Sequence, residues 1–120
     1  MKAFYMILSV YFIGRKEMAV VVYTTMEDII DAKRIAHSLV EEQMVACVNI
    51  IPKIESVYKW KGKIEMGSEV VLIAKTVEEN VKKTIIRIKE LHPYDLPAII
   101  VLPIVGGHKE YLEYLIRETE

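Results

Sequence analysis

The sequence contains one cysteine and three histidines, the residue types most often used for metal binding and for nucleophilic or acid–base chemistry. No two of them stand at the short spacings of a zinc site. Cys47 lies in a continuous apolar run, where a buried thiol usually acts as a small hydrophobic side chain. We therefore favour a structural role for Cys47 over a reactive or metal-binding one.

His92 is the most informative histidine because it ends a predicted helix and directly precedes residues 93–97, a loop with a proline at each end. The helix dipole favours a charged imidazole at this position, so one interpretation is a helix-end cap. Metal binding or proton transfer is the other interpretation, and these residues alone favour it less. His37 lies beside an apolar helical stripe and His108 follows two glycines, so we assign both to surface or packing roles.

Two aromatic and two charged side chains form the second group of candidates. Tyr58 and Trp60 share one face of a predicted strand, and such residues typically anchor subunit interfaces, although they could also line a ligand cleft. Glu69 and Lys75 share one face of the following strand. If they are buried they should be paired, either as an ion pair between subunits or as a polar site in a cleft.

No stretch of the sequence matches the phosphate-binding, nucleophile-elbow or zinc-protease motifs. Nothing supplies a nucleophile with an orienting partner, so an enzyme that uses His92 and Tyr94 as acid or base is the least favoured hypothesis. We expect a protein that is not an enzyme and that requires no cofactor.

The composition indicates a single domain with surplus apolar surface. The chain has 120 residues, of which 52% are hydrophobic, and a net charge of −1; its mean hydropathy is +0.24. The high apolar content suggests a subunit interface, whereas the charge argues against nucleic acid as a partner. Cys47 cannot form an intrachain disulfide, and a cytoplasmic location fits best.

Residues 1–17 are treated as an N-terminal extension that precedes a domain at residues 18–120. Residues 3–13 are apolar except for Ser9, but they are too few to span a bilayer as a helix, and we expect no stable membrane association. A signal peptide is one interpretation of this run. We favour the other interpretation, in which Met18 is the native start and residues 1–17 are an upstream extension, because no small-residue cleavage site follows the apolar run.

The elements that must position these candidates follow the order β-α-β-β-α-β-α. Hydrophobic periodicity predicts helices over residues 28–43, 77–92 and 108–119 and strands over residues 18–25, 44–51, 54–61, 68–76 and 98–104. Pro52 divides the second strand region and marks a bend, a bulge or an edge. The pattern predicts an α+β domain with the ferredoxin-like split βαβ plan, an antiparallel sheet and helices on one face.

Residues 45–76 form an unusually long predicted hairpin around a turn at Lys61-Gly62-Lys63. Strands in globular domains usually have about 5–6 residues, so longer arms call for a partner. The strands are also apolar on both faces. We therefore expect another subunit, and in part the third helix, to cover the sheet face away from the first two helices.

Several ordered motifs make residues 18–120 resemble the CutA divalent-cation-tolerance family. They are VVVYTT at 20–25, ACVNI at 46–50, SVYKWKGKI at 56–64, EVVLIAKT at 69–76, HPYDLPAII at 92–100 and EYLEYL at 110–115. The resemblance implies a ferredoxin-like homotrimer whose long hairpins pack around a threefold axis, in a plan similar to that of the PII nitrogen-signalling proteins.

The resemblance also implies a role in metal-ion homeostasis, with Cu²⁺ or another divalent cation as the ligand. The family's proposed copper ligands are a first-strand cysteine and a histidine pair. Tyr23 and Leu91 stand at two of those positions here, and only His92 matches. The implied cleft between subunits brings together Cys47, Trp60, Glu69, Lys75, His92 and Tyr94. The alternative function is a PII-like small-molecule sensor or signalling trimer.

Overall fold

The computed structural model describes residues 18–120, so the predicted extension at residues 1–17 lies outside the described part of the chain. The strands are β1 (Ala19–Met26), β2 (Cys47–Trp60), β3 (Lys63–Val77) and β4 (Ile99–Pro103). The helices are α1 (Ile29–Glu41), α2 (Val81–Leu91) and α3 (Lys109–Arg117), and a short 3₁₀-helix, Glu78–Asn80, precedes α2.

The four strands form one antiparallel sheet in the order β2-β3-β1-β4. The first strand therefore lies between the third and the fourth, and the second lies at the edge. This strand order, with a helix after β1 and another after β3, is the ferredoxin-like arrangement. The predicted fold class and element order are confirmed.

The main core lies between the sheet and helices α1 and α2. Asp28 begins α1, because its side-chain carboxylate accepts a hydrogen bond of 2.7 Å from the backbone N–H of Ile30. The helix then buries one apolar stripe against every second residue of the neighbouring strands, those whose side chains point to this face of the sheet. The buried residues of this core are Val22, Met26, Ala32, Ile35, Ala36, Leu39, Val45, Val70, Leu72, Ala74 and Ile88.

The opposite face of the sheet is only partly covered. Leu112 and Leu115 of α3 pack against Ala19 and Ala46 at one end of this face. Ile100 and Leu102 share this face on β4, and each is 50% exposed. The third helix thus shields part of the face, as the sequence predicted, and leaves an apolar part of it open.

Strands β2 and β3 form a long hairpin around a two-residue turn. Lys61 and Gly62 have φ angles of 50° and 81°, and two successive positive angles suit the right-handed twist of hairpin strands. The register shifts between Ile51 and Ile54, so Pro52 lies at a bulge, one of the three predicted alternatives. The turn and the long arms were predicted correctly.

Three predicted boundaries were wrong by three residues or more. The third strand begins at Lys63 and not at residue 68, because pairing with β2 continues to the turn. The second strand begins at Cys47, since the chain at residues 44–45 still bonds to the Leu39 carbonyl at the end of α1. Helix α2 begins at Val81, because Val77 still pairs with β1 and a 3₁₀ turn follows.

Candidate functional site

His92 lies directly after α2, and both nitrogens of its ring are hydrogen-bonded. Its Nε2 lies 2.8 Å from the carbonyl oxygen of Thr25 on β1, and the backbone N–H of Tyr94 donates to its Nδ1 at 3.0 Å. A carbonyl can only accept, and a backbone N–H can only donate. The two contacts together therefore require the neutral tautomer with its proton on Nε2.

The surroundings of His92 also favour the neutral ring. Its side chain is largely buried, with 8% of the residue exposed. Burial lowers the pKa of the imidazole, while the bond to the Thr25 carbonyl and the carboxylates of Glu69 and Asp31 act in the opposite direction. The pKa is lowered on balance, which disagrees with the expectation that the helix end stabilises a charged imidazole.

These contacts do not fit a metal ion at His92 as the ring stands. A metal needs the lone pair of a neutral ring nitrogen, and here one nitrogen carries the proton while the other accepts from Tyr94. Binding would break at least one of these hydrogen bonds, each worth about 0.5–1.5 kcal/mol. The prediction that His92 binds a divalent metal stays a prediction, and this geometry counts against it.

Tyr94 extends from the loop after His92 to the carboxylate of Glu69 on β3. Its hydroxyl donates to Oε2 of Glu69 at 3.0 Å, and the hydroxyl of Ser56 donates to Oε1 at 2.6 Å. Burial raises the pKa of the Tyr94 hydroxyl well above its usual range, and the Glu69 carboxylate raises it further. A carboxylate held by two neutral hydroxyl groups is a polar site on the sheet face away from helices α1 and α2.

A second cluster joins Cys47, Lys75 and Tyr111 near the other end of the same face. Cys47 and Lys75 are cross-strand partners, and both side chains reach the hydroxyl of Tyr111, at 3.5 Å from the thiol and 3.2 Å from the ammonium. Burial lowers the pKa of Lys75, but its contacts with Tyr111 and Cys47 raise it overall. Hydrogen bonding to Cys47, and then burial, raise the pKa of Tyr111.

Tyr111 and Ser56 contribute to these clusters although neither was a candidate residue predicted from the sequence. The periodicity of residues 108–119 predicts a helix that carries Tyr111, but it does not show which strand residues Tyr111 meets. Ser56 lies on β2, and its contact with Glu69 depends on the register of β2 against β3. Only the register could have identified that contact.

One chain divides the predicted cleft residues among three places. Glu69, Tyr94 and His92 form one group, Cys47 and Lys75 a second, and Trp60 lies near the hairpin turn with 49% of its surface exposed. Lys75 lies six positions after Glu69 on β3, a distance of roughly 20 Å along the strand. The ammonium of Lys61 lies 5.9 Å from the centroid of the Trp60 ring.

The structure also shows the surroundings of Tyr23 and Leu91, which stand at two positions where the family resemblance implies copper ligands. Tyr23 lies on β1 between Ile73 and Ile100, and Leu91 packs against the main core while its carbonyl accepts from Arg34 at 3.2 Å. Within residues 18–120 no group of three or more histidine, cysteine, aspartate or glutamate residues is arranged to hold a metal ion. Across the same residues, no helix has both the length and the apolar character required to cross a membrane.

The fold and these motifs can be compared with those of known proteins. The sequence model of the family described as CutA1 divalent ion tolerance protein matches residues 20–118. The chain belongs to this family. It is 44% identical over 101 residues to the chloroplastic protein CutA of Arabidopsis thaliana, in a match that covers 84% of this chain and 56% of that protein. The chain thus spans little more than half the length of this CutA relative.

Solved CutA structures share the fold over nearly their whole length. The divalent cation tolerance protein of Thermus thermophilus superposes with a TM-score of 0.83 at 42% identity, covering 86% of this chain and 100% of that one. The periplasmic divalent cation tolerance protein CutA of Archaeoglobus fulgidus gives 0.83 at 37% identity, with coverages of 86% and 100%. CutA proteins are thus described from more than one cellular compartment.

Proposed function

We propose that this CutA protein acts as a non-enzymatic homotrimer in divalent-cation tolerance, and that a cation such as Cu²⁺ binds at the clefts between its subunits. The outer ribbon, defined as residues 54–69 of the hairpin, is the observation that carries the proposal. The pairing of β1 with β3 ends at Met26 and Val70, so within residues 18–120 no third strand lies beside the outer ribbon.

Both faces of the outer ribbon carry exposed apolar side chains. Ile64 and Met66 are each 74% exposed on one face, with Val57 beside them, and Tyr58 and Trp60 are each 49% exposed on the other. An isolated two-stranded ribbon is at best marginally stable in water. An unpaired apolar ribbon of this length is also an aggregation hazard unless another chain covers it. These features support assembly.

A complementary surface lies at the other side of the sheet. Ile100 and Leu102 expose half of their surface on the face that α3 leaves open, and β4 is the opposite sheet edge. A ribbon that docks on a different surface of the next subunit makes a head-to-tail contact, which closes into a ring when the rotation allows it. The number three comes from the family resemblance.

The metal part of the proposal rests on the family and on the placement of the candidate residues. Glu69 with Tyr94, Cys47 with Lys75, and Trp60 form three separate groups in one chain. A site that combines residues of different groups therefore needs a second subunit. No step of the proposal depends on His92. The non-enzymatic part rests on the motifs considered above, and the cytoplasmic location rests on the single cysteine.

Native mass spectrometry of the full chain, titrated with Cu²⁺ and with Zn²⁺, tests assembly and metal uptake together. We expect a trimer that takes up one ion per cleft at low micromolar concentration. A monomer across the accessible concentrations would contradict the assembly. A trimer that stays metal-free would contradict the metal part, and a melting temperature raised by metabolites but not by metals would favour the small-molecule sensor.

A tolerance assay tests the biological part of the proposal. The full chain is expressed in a bacterial host that lacks its own CutA protein, and growth is measured over a series of copper concentrations. We expect growth at copper concentrations that stop the host with an empty vector. Equal sensitivity of both strains, with the trimer present in the lysate, would contradict a role in cation tolerance.

A further inference from the structure

We infer that His92 is a positioning residue, whose doubly hydrogen-bonded neutral ring fixes the loop at residues 93–97 and places the Tyr94 hydroxyl on Glu69, and that it is not a metal ligand. This inference goes beyond the proposed function and does not depend on it. A trimer could bind a cation elsewhere, or none, and His92 would still hold the loop.

The bond between Nδ1 of His92 and the N–H of Tyr94 closes a local turn. The acceptor and the donor are two residues apart, which is the closure that an asparagine or aspartate side chain makes in an Asx turn. The ring of His92 also lies 4.8 Å from the ring of Tyr94, measured between centroids and inclined at 58°. The turn and the ring contact both act on the orientation of Tyr94.

The other ring nitrogen ties this turn to the sheet. Nε2–H donates to the carbonyl of Thr25, and Thr25 is itself a β1 residue paired with Val71 of β3. The imidazole therefore connects the end of α2 to the central strand. Because one nitrogen must donate and the other must accept, only the Nε2–H tautomer maintains both contacts.

Tyr94 then links this turn to the hairpin. Its hydroxyl donates to one carboxylate oxygen of Glu69, and Ser56 donates to the other. These contacts connect β1, through His92 and the loop, to the strands of the hairpin. A cation on either nitrogen of His92 would break this connection, because it would displace the Nε2 proton or the N–H of Tyr94.

Nitrogen NMR of the full-length protein, with the histidine rings labelled and with Zn²⁺ added stepwise, tests the assignment. We expect His92 to show the neutral Nε2–H tautomer and to keep it at every zinc concentration. A zinc-dependent loss of the Nε2 proton, or an Nδ1–H tautomer, would overturn the inference. Zinc uptake measured on the same samples reports separately on the metal part of the proposed function.

Three variants separate positioning from metal binding. His92→Asn keeps an acceptor for the N–H of Tyr94, whereas His92→Ala removes it. We expect amide exchange at Tyr94 to accelerate by about tenfold in His92→Ala and by clearly less in His92→Asn, with zinc uptake unchanged in both. His37→Asn is the matched control, because His37 is exposed and its Nε2 lies 3.8 Å from the carboxylate of Glu41, which is also exposed.

The inference would be wrong if zinc uptake fell by the same amount in His92→Ala and His92→Asn while the exchange rate of Tyr94 did not change. Tyr94→Phe provides a second check that leaves His92 in place. We expect it to remove one of the two hydroxyl donors to Glu69 and to leave Ser56 as the other, while the His92 tautomer and the bond from the backbone N–H at position 94 persist. Loss of that tautomer in Tyr94→Phe would show that Tyr94 positions His92 and would overturn the proposed order.

Discussion

The inner and outer halves of the β2–β3 hairpin share the same two strands but have different surroundings. In the inner half, β3 lies between β2 and β1 and buries Val70, Leu72 and Ala74 under the helices. The outer ribbon exposes apolar side chains on both faces, and no other strand of the described part of the chain lies beside it. The difference indicates that the inner half stabilises the fold of the single chain, while the outer half carries the surface on which the proposed assembly depends.

Leu72→Ala should have the largest effect, because it removes a core side chain from the inner half. Leu72 is 1% exposed and packs in the main core, so its truncation leaves a cavity. We expect the free energy of unfolding to fall by about 2–5 kcal/mol, measured by urea denaturation. Ile64→Ala in the outer ribbon is the comparison. If both variants are measured as monomers, an equal loss in the free energy of unfolding would contradict the distinction between the two halves.

Trp60→Ala tests the outer ribbon directly. If Trp60 anchors an interface, the substitution should weaken assembly by about 2 kcal/mol or more, measured by sedimentation over a dilution series. Ile86→Ala is a matched control, because Ile86 is similarly exposed, at 52%, but lies on a helix. An unchanged assembly in Trp60→Ala would place Trp60 in solvent or in a ligand cleft.

Ser56→Ala should have a smaller effect at the boundary between the two halves. It removes one of the two hydroxyl donors to Glu69 and leaves Tyr94 as the other. We expect a loss of about 1 kcal/mol in the free energy of unfolding, since the carboxylate is half-buried and partly solvated. Ser68→Ala is the control, because Ser68 donates to the exposed Glu55 nearby. Equal losses would show that Glu69 does not depend on its hydroxyl partners.

The pH dependence of stability should show the smallest effect. The pKa of His92 is lowered below 6.5 in the folded chain, so protonation favours the unfolded chain. This contribution to stability is complete above the unfolded pKa and is lost as pH falls through the lowered folded pKa. We expect urea midpoints to decrease more steeply with falling pH in the parent protein than in His92→Asn. Parallel profiles would contradict the lowered pKa.

The sequence predicted the layout of the hairpin better than its contacts. Alternating side chains and the Lys61-Gly62 turn are local features, so the long arms and the reversal could be recognised from the chain alone. The start of β3 at Lys63 could not, because Glu65 and Gly67 are weak strand formers that pair only in the presence of β2. Pairing between strands overrides local preference in this region.

The candidate site depended even more on contacts between distant residues. Cys47 and Tyr111 are 64 residues apart, and His92 and Thr25 are 67 residues apart. Sequence patterns place such residues on elements but do not specify which atoms meet. The two hydrogen bonds of the His92 ring therefore emerged only from the structure, and they changed the interpretation of the residue that best matched the family's copper ligands.

The strand order also has a consequence for the time course of folding. Strands β2 and β3 are joined by two residues, so their pairing is local and should begin within microseconds. Strand β1 pairs with β4 across most of the length of the chain, and closing such a loop is slow. The apolar ribbon should therefore begin to form, although marginally stable by itself, before the sheet that supports it is complete. In a newly made chain, the exposed apolar side chains of the outer ribbon are therefore brought together early. The concentration of neighbouring chains then determines whether the chain assembles or aggregates.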